Sequence, residues 1–132
     1  MIVAGVGFRQ GVEAGEIVAL VEQALARASL APAVLDRLAT VEALAAVPAF
    51  TEAARQLAVA ALPVDADTLA AAAPKVRTRS ERSLAAHGVG SVAEAAALGA
   101  AGPGAALVLA RIASPSATCA LARGAATPEA AP

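Results

Sequence analysis

Ile2-Val3-Ala4-Gly5-Val6-Gly7-Phe8-Arg9-Gln10-Gly11 runs an apolar segment into a cluster of glycines. Ile2 to Val6 predicts a short buried strand. Gly5 to Gly11 predicts the turn that leaves it. Downstream, Ile17, Leu20, Val21, Ala24, Leu25 and Ala28 recur at helical spacing, which predicts a helix from about Glu13 to Ala28. Glu16, Glu22, Gln23 and Arg27 fall off that stripe. Strand, turn and helix in this order open a βαβ unit.

The rest of the chain continues the alternation. Leu38 to Glu42 predicts a second strand. Pro48 suits the first turn of a helix, where its missing N–H would lack a partner anyway, and Phe50, Ala54, Leu57, Ala58 and Ala61 form that helix's buried stripe. Leu62-Pro63-Val64 predicts a third strand, at an edge or strand end because Pro63 cannot donate a ladder bond. Asp65 or Asp67 caps a short helix through Ala73, and another helix spans Ser80 to His87, closed by Gly88. Ala106 to Ile112 and Ala117 to Ala122 predict an antiparallel hairpin around Ser114-Pro115-Ser116. The fold class is α/β, a three-layer sandwich with a mostly parallel, mixed central sheet and helices on both faces. A single domain is expected over residues 1–122, with a flexible tail at 123–132.

A second glycine stretch, Gly88-Val89-Gly90-Ser91-Val92-Ala93-Glu94, leads into a helix from Ser91 to Ala101 that Gly102-Pro103-Gly104 stops. Ser91 is a good N-cap, and Glu94 lies where a capping box reaches back to the cap's own N–H. Helix starts beside glycines leave backbone donors open to an anion. The first cluster spaces its glycines G-x-G-x-x-x-G, which is not the dinucleotide-binding pattern, and a tight turn alone also accounts for it. Arg9 within it suits a carboxylate or phosphate.

Composition narrows the choices. Of the 132 residues 58% are hydrophobic, but much of that is alanine, which favours helices and fills a core poorly. Phe8 and Phe50 are the only aromatics, and the net charge of −1 argues against nucleic acid as a partner. The uncharged run from Ala95 to Ala110 is broken by glycine and proline and is too short to span a bilayer, so no membrane partner is expected. The amino end lacks the pattern of a signal peptide, which leads to an expected cytoplasmic location. Cys119 is the single cysteine and falls in a strand, where it should be buried and inert. No metal or cofactor site is indicated.

Lys75, Arg77, Arg79 and Arg82 crowd one segment with Glu81 alone opposing them; this is either a solvated face or a contact for carboxylates. His87, the lone histidine, sits at a helix carboxyl end, where capping the last turn is the expected role. Glu42 ends a predicted strand and has the position of a general base, although an exposed carboxylate fits equally.

These pieces in this order resemble the cobalamin-biosynthesis family of CobE and the carboxyl-terminal domain of CbiG. The resemblance rests on Gly5 to Gly11, on Ala39-Thr40-Val41-Glu42 followed by Pro48, on Ser91 to Ala97, and on Leu107 to Arg111 with Ala117 to Ala122. The chain is most similar to the family's stand-alone members, since it lacks the amino-terminal portion of the longer ones. Phe8 stands where many relatives carry cysteine, Leu44 where many carry lysine, and Ala46 and Val47 replace acidic residues. If that segment lines a pocket in relatives, the pocket here is more apolar.

The resemblance implies a role in building the corrin ring of vitamin B12. It implies binding of a corrinoid or precorrin intermediate whose acetate and propionate arms meet Gly7, Phe8, Arg9, Gly11, Gly90, Ser91 and Arg111. Other enzymes of the cobalamin pathway and a second copy of the chain are possible partners. The longer relatives open a lactone, so a hydrolase with Glu42 or His87 as base is an alternative. A nucleotide-binding regulatory module is a third reading.

Overall fold

The computed structural model describes residues 1–125. Its five strands are β1 (Ile2–Phe8), β2 (Leu35–Val41), β3 (Ala60–Val64), β4 (Ala106–Ala113) and β5 (Ala117–Arg123). Its helices are α1 (Ala14–Arg27), α2 (Glu42–Ala45), α3 (Pro48–Leu57), α4 (Ala66–Ala72), α5 (Glu81–His87) and α6 (Val92–Ala101). The strands form one mixed sheet in the order β3-β2-β1-β5-β4. β1, β2 and β3 are parallel, while β5 runs antiparallel to both β1 and β4.

β1 is buried on both sides, which explains its unbroken apolar sequence. Alternate residues serve different layers. Ile2, Ala4 and Val6 pack with α1 and α3, whereas Val3 packs with α4 and α6 on the other face. Gly5 and Gly7 therefore point towards α6. A Cβ on Gly5 would strike the Ala93 carbonyl and the Ala97 amide, so this glycine lets a helix backbone lie against the strand. The residues from Ser91 to Leu98 are all buried. Alanine, a weak core filler by volume, is what permits that approach.

Several boundaries differ from those expected. β1 continues through Phe8, so Gly5 and Gly7 lie in a strand, and the turn is confined to Arg9–Gly11. Among these glycines only Gly11 has a left-handed backbone, with φ +86°. β2 starts at Leu35 and stops at Val41, and Glu42 begins α2 instead of ending the strand. α3 ends at Leu57 because Ala58 turns left-handed at φ 59°; Ala61 belongs to β3. Arg123 pairs with Ile2 and Ala106, so it completes β5 and is not part of a tail. The remainder of the expected tail, residues 126–132, lies outside the described residues. No single helix among the described residues is long and apolar enough to cross a membrane.

Candidate functional site

A cleft of about 450 Å³ opens where β1 ends and the β4–β5 hairpin turns. Gly7, Phe8 and Arg9 form one side, and the hairpin residues Arg111 and Ser114 to Thr118 another. Ser80, Arg82, Ser83 and His87 of α5 and its cap close it, with Ser91 and Val92 of α6 behind. The position beyond the carboxyl end of β1 is where α/β sheets present loops to ligands.

The lining has a clear chemical bias. Arg9, Arg82, Arg111 and His87 lie on it beside the hydroxyls of serines and Thr118, and among the described residues no acidic side chain does. Among the described residues the ion pairs join Arg55 to Glu52 and Arg79 to Glu81, so none of the cleft arginines is paired. Unpaired guanidiniums flanked by hydroxyls suit an anion with several oxygens.

Of the candidate residues, Gly7, Phe8, Arg9, His87, Ser91 and Arg111 meet in this cleft. Gly11, Gly90 and Glu42 do not line it. Gly90 acts next to it: a Cβ there would meet the Thr78 carbonyl, and the Gly90 carbonyl accepts the Ser80 N–H at 2.8 Å. Glu42 is exposed at the start of α2. Leu44 lines the cleft together with Phe8, so two of the four noted departures from relatives lie on it, while Ala46 and Val47 do not. Phe8 in turn stacks on Phe50, with ring centroids 6.3 Å apart.

The basic segment does not act as one patch. Only Arg82 of its four cations reaches the cleft. Lys75 donates to the Ala105 carbonyl at 2.8 Å and lines a separate groove, while Arg79 pairs with Glu81 at 3.6 Å in solvent. Four like charges close in sequence are spread by the turn from α4 to α5.

Two glutamates support the cleft from behind. Each is the third residue of its helix. Ser91 caps α6 by accepting the Glu94 N–H at 3.1 Å, as the capping motif predicts. The Glu94 carboxylate does not reach back. It accepts the Arg77 N–H at 2.6 Å, the Thr78 N–H at 2.9 Å, the Thr78 hydroxyl at 2.5 Å and the Arg111 N–H at 2.8 Å. Burial pushes its pKa up, but these hydrogen bonds outweigh burial and hold it below the ordinary glutamate value.

Glu16 in α1 accepts the Ser114 hydroxyl and the Ser116 N–H, the latter at 2.7 Å, and its pKa is lowered by those two bonds in that order. Neither role was visible in the sequence, because both partners are distant along the chain. The signal available was position alone: a glutamate in the first turn of each helix.

The Arg9 N–H donates to the Ser116 carbonyl at 3.0 Å, so the first turn is tied to the hairpin by its backbone. Cys119 is fully buried, and burial pushes its thiol up to about 12. Among the described residues no three His, Cys, Asp or Glu side chains gather as metal ligands.

The family model described as "Cobalamin synthesis G C-terminus" matches residues 2–122. Protein CobE of Sinorhizobium sp is 43% identical over 121 residues, spanning 92% of this chain and 79% of that protein. The crystal structure of a CobE, described as a protein from the cobalamin (vitamin B12) biosynthetic pathway, superposes with a TM-score of 0.87 at 33% identity, over 93% of this chain and 89% of that one. The cobalamin biosynthesis protein chiG from Agrobacterium tumefaciens str. C58 gives a TM-score of 0.76 at 34% identity, over 96% of this chain and 100% of that one. Sequence and fold agree across nearly the whole length: the chain belongs to the cobalamin synthesis G carboxyl-terminal family and is a CobE/CbiG-like protein of cobalamin biosynthesis.

Proposed function

We propose that the cleft binds a corrinoid or precorrin intermediate through its carboxylate arms, as carrier or accessory to corrin-ring synthesis. The observation that carries this reading is the lining itself: three arginines without acidic partners among the described residues, ringed by hydroxyls, while the two glutamates behind it are engaged by hydrogen bonds from the fold. Charge-assisted bonds from guanidinium to carboxylate are among the stronger polar contacts. Phe8, Leu44 and Val92 add apolar surface for the ring.

Family membership makes an intermediate of this pathway the natural anion. A nucleotide fits less well. The glycines of the first cluster lie largely in a strand, and the first turn of each long helix facing the hairpin carries its own glutamate. A carboxylate already fixed there disfavours a phosphate at the same helix end.

Titration with a polycarboxylate corrinoid, followed by its absorption spectrum, tests the proposal. Binding at tens of micromolar is expected, with weaker binding of the same ring after its acids are amidated. Arg111→Ala and Arg82→Ala should each raise Kd about tenfold. A silent spectrum at those concentrations, or equal binding of the amidated ring, overturns it.

Lactone opening is the second reading, and His87 in the cleft is what favours it. Glu42 gains no support, since it lies outside the lining. Turnover of a lactone-bearing intermediate that survives His87→Ala unchanged would remove histidine from that role.

A further inference from the structure

We infer that Glu94 is a positioning residue for the cleft: its buried carboxylate sets the places from which Arg111 and the α5 side chains meet a ligand. The inference rests on the polycarboxylate reading above and names the device that shapes that same site.

Glu94 has no exposed surface, and its hydrogen-bond partners carry no formal charge at the donating atoms. A buried carboxylate without donors is strongly disfavoured, so all its partners must be delivered by the fold. They arrive from two directions: Arg77 and Thr78 lie 17 and 16 residues before it, and Arg111 lies 17 after. The amino end of α6 adds a favourable dipole.

Both tethered segments need such a fixture. β4 is an edge strand, and its pairing with β5 slips between Leu107 and Leu109 and again between Leu109 and Ile112. Arg111 falls inside the second irregular stretch, so the ladder alone does not fix its height. The Glu94–Arg111 bond does. The segment from Val76 to Ser80 belongs to no helix or strand. It is held by Glu94 at one end and by the Ser80–Gly90 backbone bond at the other, and it delivers α5 with Arg82 and His87.

The mode of attachment matters. Glu94 grips Arg77 and Arg111 by their main-chain N–H groups, not by their guanidiniums. The carboxylate orders two cationic residues without consuming their charge. An ordinary buried ion pair would have neutralised the group a ligand needs.

The test uses the full chain and a polycarboxylate corrinoid as probe. Glu94→Gln keeps the size but turns one acceptor into a donor facing N–H groups. Its Kd should rise about tenfold, and the double variant with Arg111→Ala should lose clearly less than the product of the two single losses. Leu98→Ala, buried in the same helix but outside the cleft lining, controls for lost stability and should stay within about twofold of wild type. An unchanged Kd for folded Glu94→Gln, or losses that simply multiply, overturns the inference.

Should Glu94→Gln fail to fold, Thr78→Val removes one of the four bonds and should still weaken binding a few-fold; an unaltered Kd again overturns it. Amide hydrogen exchange without ligand separates this inference from the ligand reading. Loss of protection at Arg111 and Thr78 in Thr78→Val or Glu94→Gln supports the fixture even if no corrinoid binds. Unchanged protection there overturns it whatever binds.

Discussion

The amino ends of α1 and α6 make the same local choice and reach different outcomes. Each follows glycines, and each has a glutamate as its third residue. Glu16 stays at the surface and clips the Ser114–Ser116 turn. Glu94 is enclosed and draws together three parts of the chain. The cause lies beneath them. Gly5 allows α6 to touch β1 backbone to backbone, whereas α1 stands off on the larger side chains Ile17, Leu20 and Val21. One motif thus becomes a surface clip or a buried hub according to how closely its helix approaches the sheet.

The sharpest way to break this contrast is at the glycines. Gly5→Ala should cost about 3 kcal/mol or prevent folding, because the new methyl meets main-chain atoms that cannot yield. Gly15→Ala in the first turn of α1 meets nothing within 4 Å and should gain about 0.5 kcal/mol. Urea unfolding of both variants measures the difference; similar effects at the two sites would refute the packing account.

Next in size is Glu94→Gln, expected to cost about 3 kcal/mol through a mispaired buried group. Glu16→Gln should cost clearly less on the same denaturation curves, since Glu16 is only partly buried. A smaller effect follows from pH. The pKa values of Glu94 and Glu16 are lowered on folding. Their stabilisation is therefore complete above the unfolded value of about 4.5 and is lost as pH falls through the lower folded values. Acid titration of stability should flatten in both Glu94→Gln and Glu16→Gln relative to wild type. A slope unchanged from wild type in either variant would show that its carboxylate is not held in the charged form by the fold.

Much of the architecture was legible because it is written in local periodicity. The helix spacing from Ile17 to Leu25, Pro48 at a helix start, Ser91 as a cap, a cap at Asp65 or Asp67 that falls to Asp65, and the hairpin around Pro115 are all properties of neighbouring residues. The family resemblance extended that reading to most of the chain. What local pattern misjudged was glycine. Gly5 and Gly7 read as a turn, but they are strand residues whose missing side chains serve a helix more than eighty residues away. Glu94 read as a reciprocal cap for the same reason, since its donors at Arg77, Thr78 and Arg111 appear only in three dimensions. The basic segment read as one patch, and the turn into α5 scatters it.

β5 lies inside the sheet, between β1 and the edge strand β4, and the Gly124 N–H donates to the Met1 carbonyl at 2.9 Å. β1, the first of the five described strands in chain order, must wait for β5, the last of them, before it gains its second neighbour. Half of its ladder is thus a contact spanning nearly the whole described sequence, a topology that slows folding and lengthens the time nascent apolar surface needs shelter.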